Sequence, residues 1–238
     1  IKLLKINDIC KAFETSEGIN YALQNVSFEI PDGTCTVIGG ENGSGKSVLM
    51  SIIAGLEEAD SGTIENSCRA GLVFQEAETQ ILGETPREDI AFGPKNLGFT
   101  KEQTEQAIID ALQKTGLTSK ADFPARFLSG GEKRRLAVAC MIAMNLPVII
   151  LDEPYANLDF TGVKQVNSLV KSLKEQGRTV IILTHETEKC LALAEKFIVL
   201  FRGKKVFDGT PEEIVKLDLE KWNIKNPFAN YSAIKDLV

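Results

Sequence analysis

Eight consecutive residues, Gly40, Glu41, Asn42, Gly43, Ser44, Gly45, Lys46 and Ser47, carry the means to bind a polyphosphate. Glycines at 40, 43 and 45 let backbone N–H groups curl around anionic oxygens at the start of a helix, whose positive end favours them. Lys46 adds a point charge, and Ser47 sets a hydroxyl where an accompanying cation sits. Gly, four residues, Gly, Lys, Ser is the phosphate-loop pattern, so ATP with Mg²⁺ is the expected ligand pair. Taken alone, the same string also suits an ordinary Gly-rich turn.

Further chemistry stands at the ends of apolar runs. Residues 148–151 are Val, Ile, Ile, Leu, and Asp152 and Glu153 follow them, two carboxylates where an α/β sheet presents its ligands. Asp152 suits Mg²⁺, directly or through water. Glu153, aimed differently, suits a base that polarises the attacking water. His185, the single histidine, follows the run 180–184 and is expected to donate to the γ-phosphate and orient water. A solvated carboxylate and a structural histidine are the plain alternatives, and the joint register of the motifs favours function. Leu128, Ser129, Gly130, Gly131 and Glu132 precede a helical stretch, which offers a second helix start with small residues able to meet phosphate.

Strands and helices must position these groups. Val26, Phe28 and Ile30 alternate ahead of a Pro31, Asp32, Gly33 turn, predicting a small antiparallel β layer over residues 1–37. Residues 36–39 read as a strand end, and 46–54 as a helix stopped at Gly55. From residue 76 to about 143 the pattern turns helical, with a Thr100/Gln103 capping box and Ile108, Ala111 and Leu112 on one face before Gly116. The runs 148–151, 180–183 and 197–201 then suit a parallel sheet covered on both faces. Val163, Val166, Val170 and Leu173 mark an intervening helix that ends near Gly177. Thr210, Pro211, Glu212 and Glu213 form a capping box opening the tail.

At 238 residues with 43% hydrophobic content, the chain can fill a sizeable core. A net charge of −6 argues against a nucleic-acid partner. Cysteines at 10, 35, 68, 140 and 190 show no CxxC pair and are odd in number, which suggests reduced thiols. No apolar run reaches the ~18 residues of a membrane span. No export signal is expected, and a membrane role requires a partner.

Phosphate loop, Leu-Ser-Gly-Gly, Asp-Glu strand end and histidine occur in an order that resembles the nucleotide-binding subunits of ABC transporters, over nearly the whole chain. The resemblance implies an α/β P-loop NTPase (RecA-like) core with an N-terminal antiparallel β layer and an inserted α-helical subdomain, the ABC ATPase fold. One domain spans 1–238: core and β layer at about 1–76 and 145–208, helical subdomain at about 77–144, tail at about 209–238. The resemblance also implies a pair of subunits, this chain with itself or a paralogue, holding two ATP molecules between them. Ser129, Gly130 and Gly131 then act in trans. It assigns Gln75 to Mg²⁺, water and signalling toward the membrane, Asp159 to catalytic geometry at the dimer interface, and Phe13, where Tyr is usual, to stacking on adenine, with Phe28 buried instead.

After Gln75, the segments 76–82 and 88–98, with Asp89, Ala91, Phe92, Gly93, Pro94, Asn96, Leu97 and Gly98, look like the energy-coupling factor branch. This implies an ATPase on the cytoplasmic face of the cell membrane that drives import of vitamins or metal ions. Its partners would be an integral membrane coupling subunit and a substrate-binding membrane subunit. Phe92, Gly93 and Pro94 are expected to fix a turn between helices and leave apolar surface for a partner helix; a buried corner is the alternative. Glu41 stands where Pro is common, Val48 and Tyr155 where Thr is common, and Glu132 where Gln is commonest. Glu132 is expected to be offset by Lys133, Arg134 and Arg135. A soluble ABC ATPase acting on DNA or ribosomes accounts for these motifs less well. A small-molecule P-loop kinase leaves the Leu-Ser-Gly-Gly signature, residues 128–131, together with Asn157, Leu158, Asp159 and His185, without a task.

Overall fold

The computed structural model describes residues 3–16, 18–65 and 69–226. Cys68, Phe228 and Tyr231 lie outside them. Strands β1 (Leu3–Thr15) and β2 (Gly18–Pro31) pair antiparallel, and β4 (Ser61–Glu65) joins the other edge of β1. A six-stranded sheet has the order β5 (Ala70–Val73), β6 (Val148–Asp152), β7 (Thr179–Thr184), β3 (Cys35–Gly39), β8 (Lys196–Phe201) and β9 (Lys204–Gly209). Its first five strands run parallel and β9 is antiparallel.

Side chains alternate across a strand, so the continuous apolar runs supply two cores at once. Val148 and Ile150 of β6 face a cluster with Leu23, Ile30, Leu49 and Met50, beneath the antiparallel sheet and helix α1 (Lys46–Ile53). Ile149 and Leu151 face the opposite cluster, with Leu136, Val170 and Leu173. That second face is covered by α4 (Gly130–Ala143) and α5 (Phe160–Glu175). Phe28 is buried. The cysteines at 10, 35, 140 and 190 are free thiols, and burial pushes Cys35 up to about 12.

Helices α2 (Pro86–Asn96) and α3 (Lys101–Thr115) pack with α4. The Thr100/Gln103 box caps α3, and Gly116 ends it in the left-handed conformation. Phe92, Gly93 and Pro94 do not form a turn: they lie inside α2. Pro94 lacks only the N–H that would bond the Ile90 carbonyl, and its own carbonyl accepts from the Leu97 and Phe99 amides, which close the end of the helix. Gly93 serves close approach, since a Cβ would run into the Met144 side chain. Phe92 remains 53% exposed.

Asp89 of α2 is 5% exposed and accepts from the amides of Leu82 and Gly83 at 2.7 and 2.9 Å and from the Cys140 thiol at 3.3 Å. It ties the segment following Gln75 to the helices. Asp89→Ala orphans those donors, and denaturant unfolding is expected to show a loss of about 2–4 kcal/mol. Asp89→Asn should retain part of that stability through its remaining carbonyl.

Helix α6 (Pro211–Ile214) starts with the Thr210/Glu213 box. Beyond it, Leu219 and Ile224 are buried in the larger core and Trp222 packs on it.

Candidate functional site

Parallel pairing brings three strand ends to one edge. Gly39 aligns with Thr184 and Asp152 with Leu183, so the loop after β3, the carboxylates after β6 and the histidine after β7 meet there. The loop turns through left-handed backbone at Gly43 and Gly45, at φ 80° and 100°, and Gly45 leads directly into α1. A Cβ at Gly45 would strike the Ala22 carbonyl of β2, so the antiparallel sheet fixes the loop's approach.

Lys46 is 5% exposed, and its Nζ donates to the carbonyls of Gly40 at 2.7 Å and Glu41 at 2.9 Å. Burial lowers its pKa, opposed by Glu153, Asp152 and Glu41. The Ser47 hydroxyl donates to Asp152 Oδ2 at 2.9 Å. Asp152 Oδ1 is buried without a partner, and burial raises the Asp152 pKa. A buried free carboxylate oxygen beside a hydroxyl is a donor set that fits Mg²⁺. Among the described residues no group of three or more His, Cys, Asp or Glu is arranged to hold a metal. A cation at Ser47 and Asp152 would therefore draw its other oxygens from phosphate and water.

Glu153 is 6% exposed and sits at φ 45°, a left-handed conformation that a residue other than Gly seldom adopts. Its amide donates to the Leu183 carbonyl at 2.9 Å. This backbone turn sends Glu153 away from Asp152. Its Oε1 lies 3.0 Å from His185 Nδ1 and 3.9 Å from Lys46 Nζ, linking loop, carboxylate and imidazole.

Phe13, 37% exposed, lines a cleft of about 280 Å³ together with Asn42, Lys46, Ser47, Gln75 and Glu153. Asn20, Ala22 and Val48, which sequence reasoning did not single out as cleft residues, also border it. Their neutral side chains beside a glycine loop carry no signal that could have found them.

The signature residues lie elsewhere in the chain. Ser129 caps α4 in a reciprocal box with Glu132, whose carboxylate accepts from the Ser129 amide at 2.9 Å. The expected offset of Glu132 by Lys133, Arg134 and Arg135 does not occur. Its partner is Lys120 at 2.7 Å, and the hydrogen bonds from Lys120 and the Ser129 amide lower its pKa. The three following cations turn along α4 toward Glu78, Gln75 and Gln165 instead. Gly130 borders a second cleft, of about 490 Å³, shared with Gln75, Ala156 and Asn157. Gln75 thus touches both clefts, and its carbonyl accepts from Arg134 at 3.4 Å. Asp159 caps α5, accepting from the Gly162 amide at 2.7 Å.

A phosphate loop, a carboxylate with a histidine at neighbouring strand ends, and a separate glycine-rich helix start on this mixed sheet define an ATP-binding cassette. The ABC transporter family model matches residues 23–156, and the chain belongs to that family. It is 35% identical over 223 residues to the energy-coupling factor transporter ATP-binding protein EcfA of Methanocaldococcus jannaschii, covering 86% of this chain and 80% of the relative. The solved structure of cbiO1 from Clostridium perfringens, described as part of the ABC transporter complex cbiONQ, superposes with a TM-score of 0.80 at 29% identity, covering 94% of this chain and 95% of that one. A dimeric post-hydrolysis state of the cassette MJ0796, bound to ADP and Pi, gives a TM-score of 0.77 at 27% identity over 87% and 98%. The fold is that of the ABC ATPase. The chain is an ATPase coupled to transport, of the energy-coupling factor type.

Proposed function

We propose that this chain hydrolyses ATP at Gly40, Glu41, Asn42, Gly43, Ser44, Gly45, Lys46 and Ser47 as one of two paired cassettes on the cytoplasmic face of the cell membrane. There it drives a membrane coupling subunit and a substrate-binding subunit in the uptake of vitamins or metal ions. The observation that carries the catalytic reading is the contact of Glu153 with both Lys46 and His185. Lys46 holds the terminal phosphates once they displace its bonds to Gly40 and Glu41. Glu153 takes the proton of the attacking water, and His185 aligns that water and the γ-phosphate. Ser47 and Asp152, with Gln75, would hold Mg²⁺, which neutralises charge developing on the phosphates.

Pairing is supported by the placement of Ser129, Gly130 and Gly131, which border no part of the Phe13 and Lys46 cleft in their own chain. Phe13 stacks on adenine at that cleft's rim. Residues 77–144 act as the helical subdomain of a single domain, and Asp159 sets the turn from Glu153 to α5. Among the described residues no helix is long and apolar enough to cross a membrane, so the reading assigns the spanning segments to partners.

An apolar groove of about 420 Å³, lined by Leu56, Phe74, Leu97, Met141, Met144 and Leu146, suits a helix of the coupling subunit. Leu56 and Phe74 are 63% and 38% exposed there. Phe74 immediately precedes Gln75, so a helix seated on it bears on the nucleotide cleft. Phe74→Glu is expected to reduce copurification of the integral membrane subunits at least about tenfold, since a charge must be desolvated in the groove. ATP affinity of the isolated chain should be retained. Recovery of an undiminished membrane complex with this variant counts against the groove, and stable recovery with nucleic acid and no membrane protein counts against the function.

A further inference from the structure

The acidic residue of the phosphate loop reaches a part of the chain far from it in sequence. Glu41 Oε2 accepts from the Asn223 side-chain amide at 2.6 Å. The Glu41 carbonyl is already held by Lys46, so Asn223 decides where the carboxylate, and only the carboxylate, points.

Asn223 is itself well placed. It ends a short turn, Glu220–Trp222, at φ 56°, a left-handed position that asparagine tolerates better than most residues. Its neighbours Leu219 and Ile224 are each 2% exposed in the main core, and the Ile224 amide closes the turn on the Leu219 carbonyl at 3.2 Å. The loop has a second C-terminal support, because the Gly203 amide between β8 and β9 donates to the Ser44 carbonyl at 3.1 Å.

We propose that Asn223 is a positioning residue for ATP binding, which keeps the Glu41 carboxylate turned to the C-terminal segment and away from the phosphates. A negative charge next to Asn42 and Gly43 repels an anionic ligand, so a loop built with Glu41 needs a partner that turns its side chain away. The inference rests on the reading that residues 40–47 hold the phosphates. Lys46→Ala tests that reading separately, by whether MgATP affinity collapses.

Asn223→Gly keeps the left-handed turn and removes the donor; Asn223→Asp adds a second carboxylate. In the full chain within its purified transporter complex, Asn223→Gly is expected to raise KM for MgATP about three- to tenfold through local charge repulsion, with kcat within about twofold. Asn223→Asp should raise KM further. In a Glu41→Gln background Asn223→Gly should leave KM where Glu41→Gln alone sets it. An unchanged KM for Asn223→Gly, or an equal rise with Glu41 and with Gln at position 41, overturns the proposal in favour of a purely structural turn.

Discussion

Glu153→Gln is expected to lower kcat for ATP hydrolysis by about 10²- to 10⁴-fold, the range that a positioned base contributes, while MgATP stays bound. The amide has nearly the carboxylate's shape, so the φ 45° turn and the bond from the Glu153 amide to the Leu183 carbonyl persist. What goes is the acceptor for the water's proton and the charge 3.9 Å from Lys46. Product formation then stalls with ATP in place, and the closed pair of cassettes should accumulate. Steady-state hydrolysis, read beside ATP retained after gel filtration, measures both halves of this expectation. Hydrolysis at the unsubstituted rate would remove Glu153 from its role.

Gly130→Val should abolish turnover by a different route. A Cβ on Gly130 or Gly131 meets nothing within 4 Å in the chain, and neither residue has positive φ. The fold of one chain therefore does not demand glycine at either position. A phosphate approaching from a second subunit does, because a branched side chain would occupy its place at the start of α4. The variant should unfold within about 1 kcal/mol of the parent, as expected for an exposed helix-end change. It should bind ATP normally and lose about 10²-fold or more in hydrolysis, the scale on which preorganised donors act. A large loss of stability would instead show that glycine serves the chain's own packing.

These two expectations show which parts of the site were legible in sequence. The phosphate loop, the ends of β6 and β7 and the start of α4 are local patterns, and they fall at the strand ends and helix starts that their neighbouring residues predict. The parallel sheet was legible too, since residues 148–151 and 180–183 are apolar at successive positions and must be covered twice. Other features depend on residues distant in sequence. Phe92, Gly93 and Pro94 look like a turn until Met144 is seen packed on Gly93. The offset of Glu132 depends on Lys120, carried by a separate turn. Asp89 belongs to the string that resembles the energy-coupling factor branch, but its structural task depends on donors from Leu82, Gly83 and Cys140. Asn223 meets Glu41 only after the chain has traversed both sheets.

The central claim is that residues 40–47 form one half of an ATP site whose other half is a signature on a second polypeptide. An ATP analogue with one photoreactive group on the adenine base and a second on the γ-phosphate tests it most directly, in the purified transporter complex with the Glu153→Gln chain isotopically labelled. The base should bond to the Phe13 cleft of the labelled chain and the γ-phosphate group to the Ser-Gly-Gly segment of a different polypeptide, either an unlabelled copy or a paralogue, so that one nucleotide joins the two. An adduct confined to Ser129, Gly130 and Gly131 of the same chain, or to no signature at all, would contradict it.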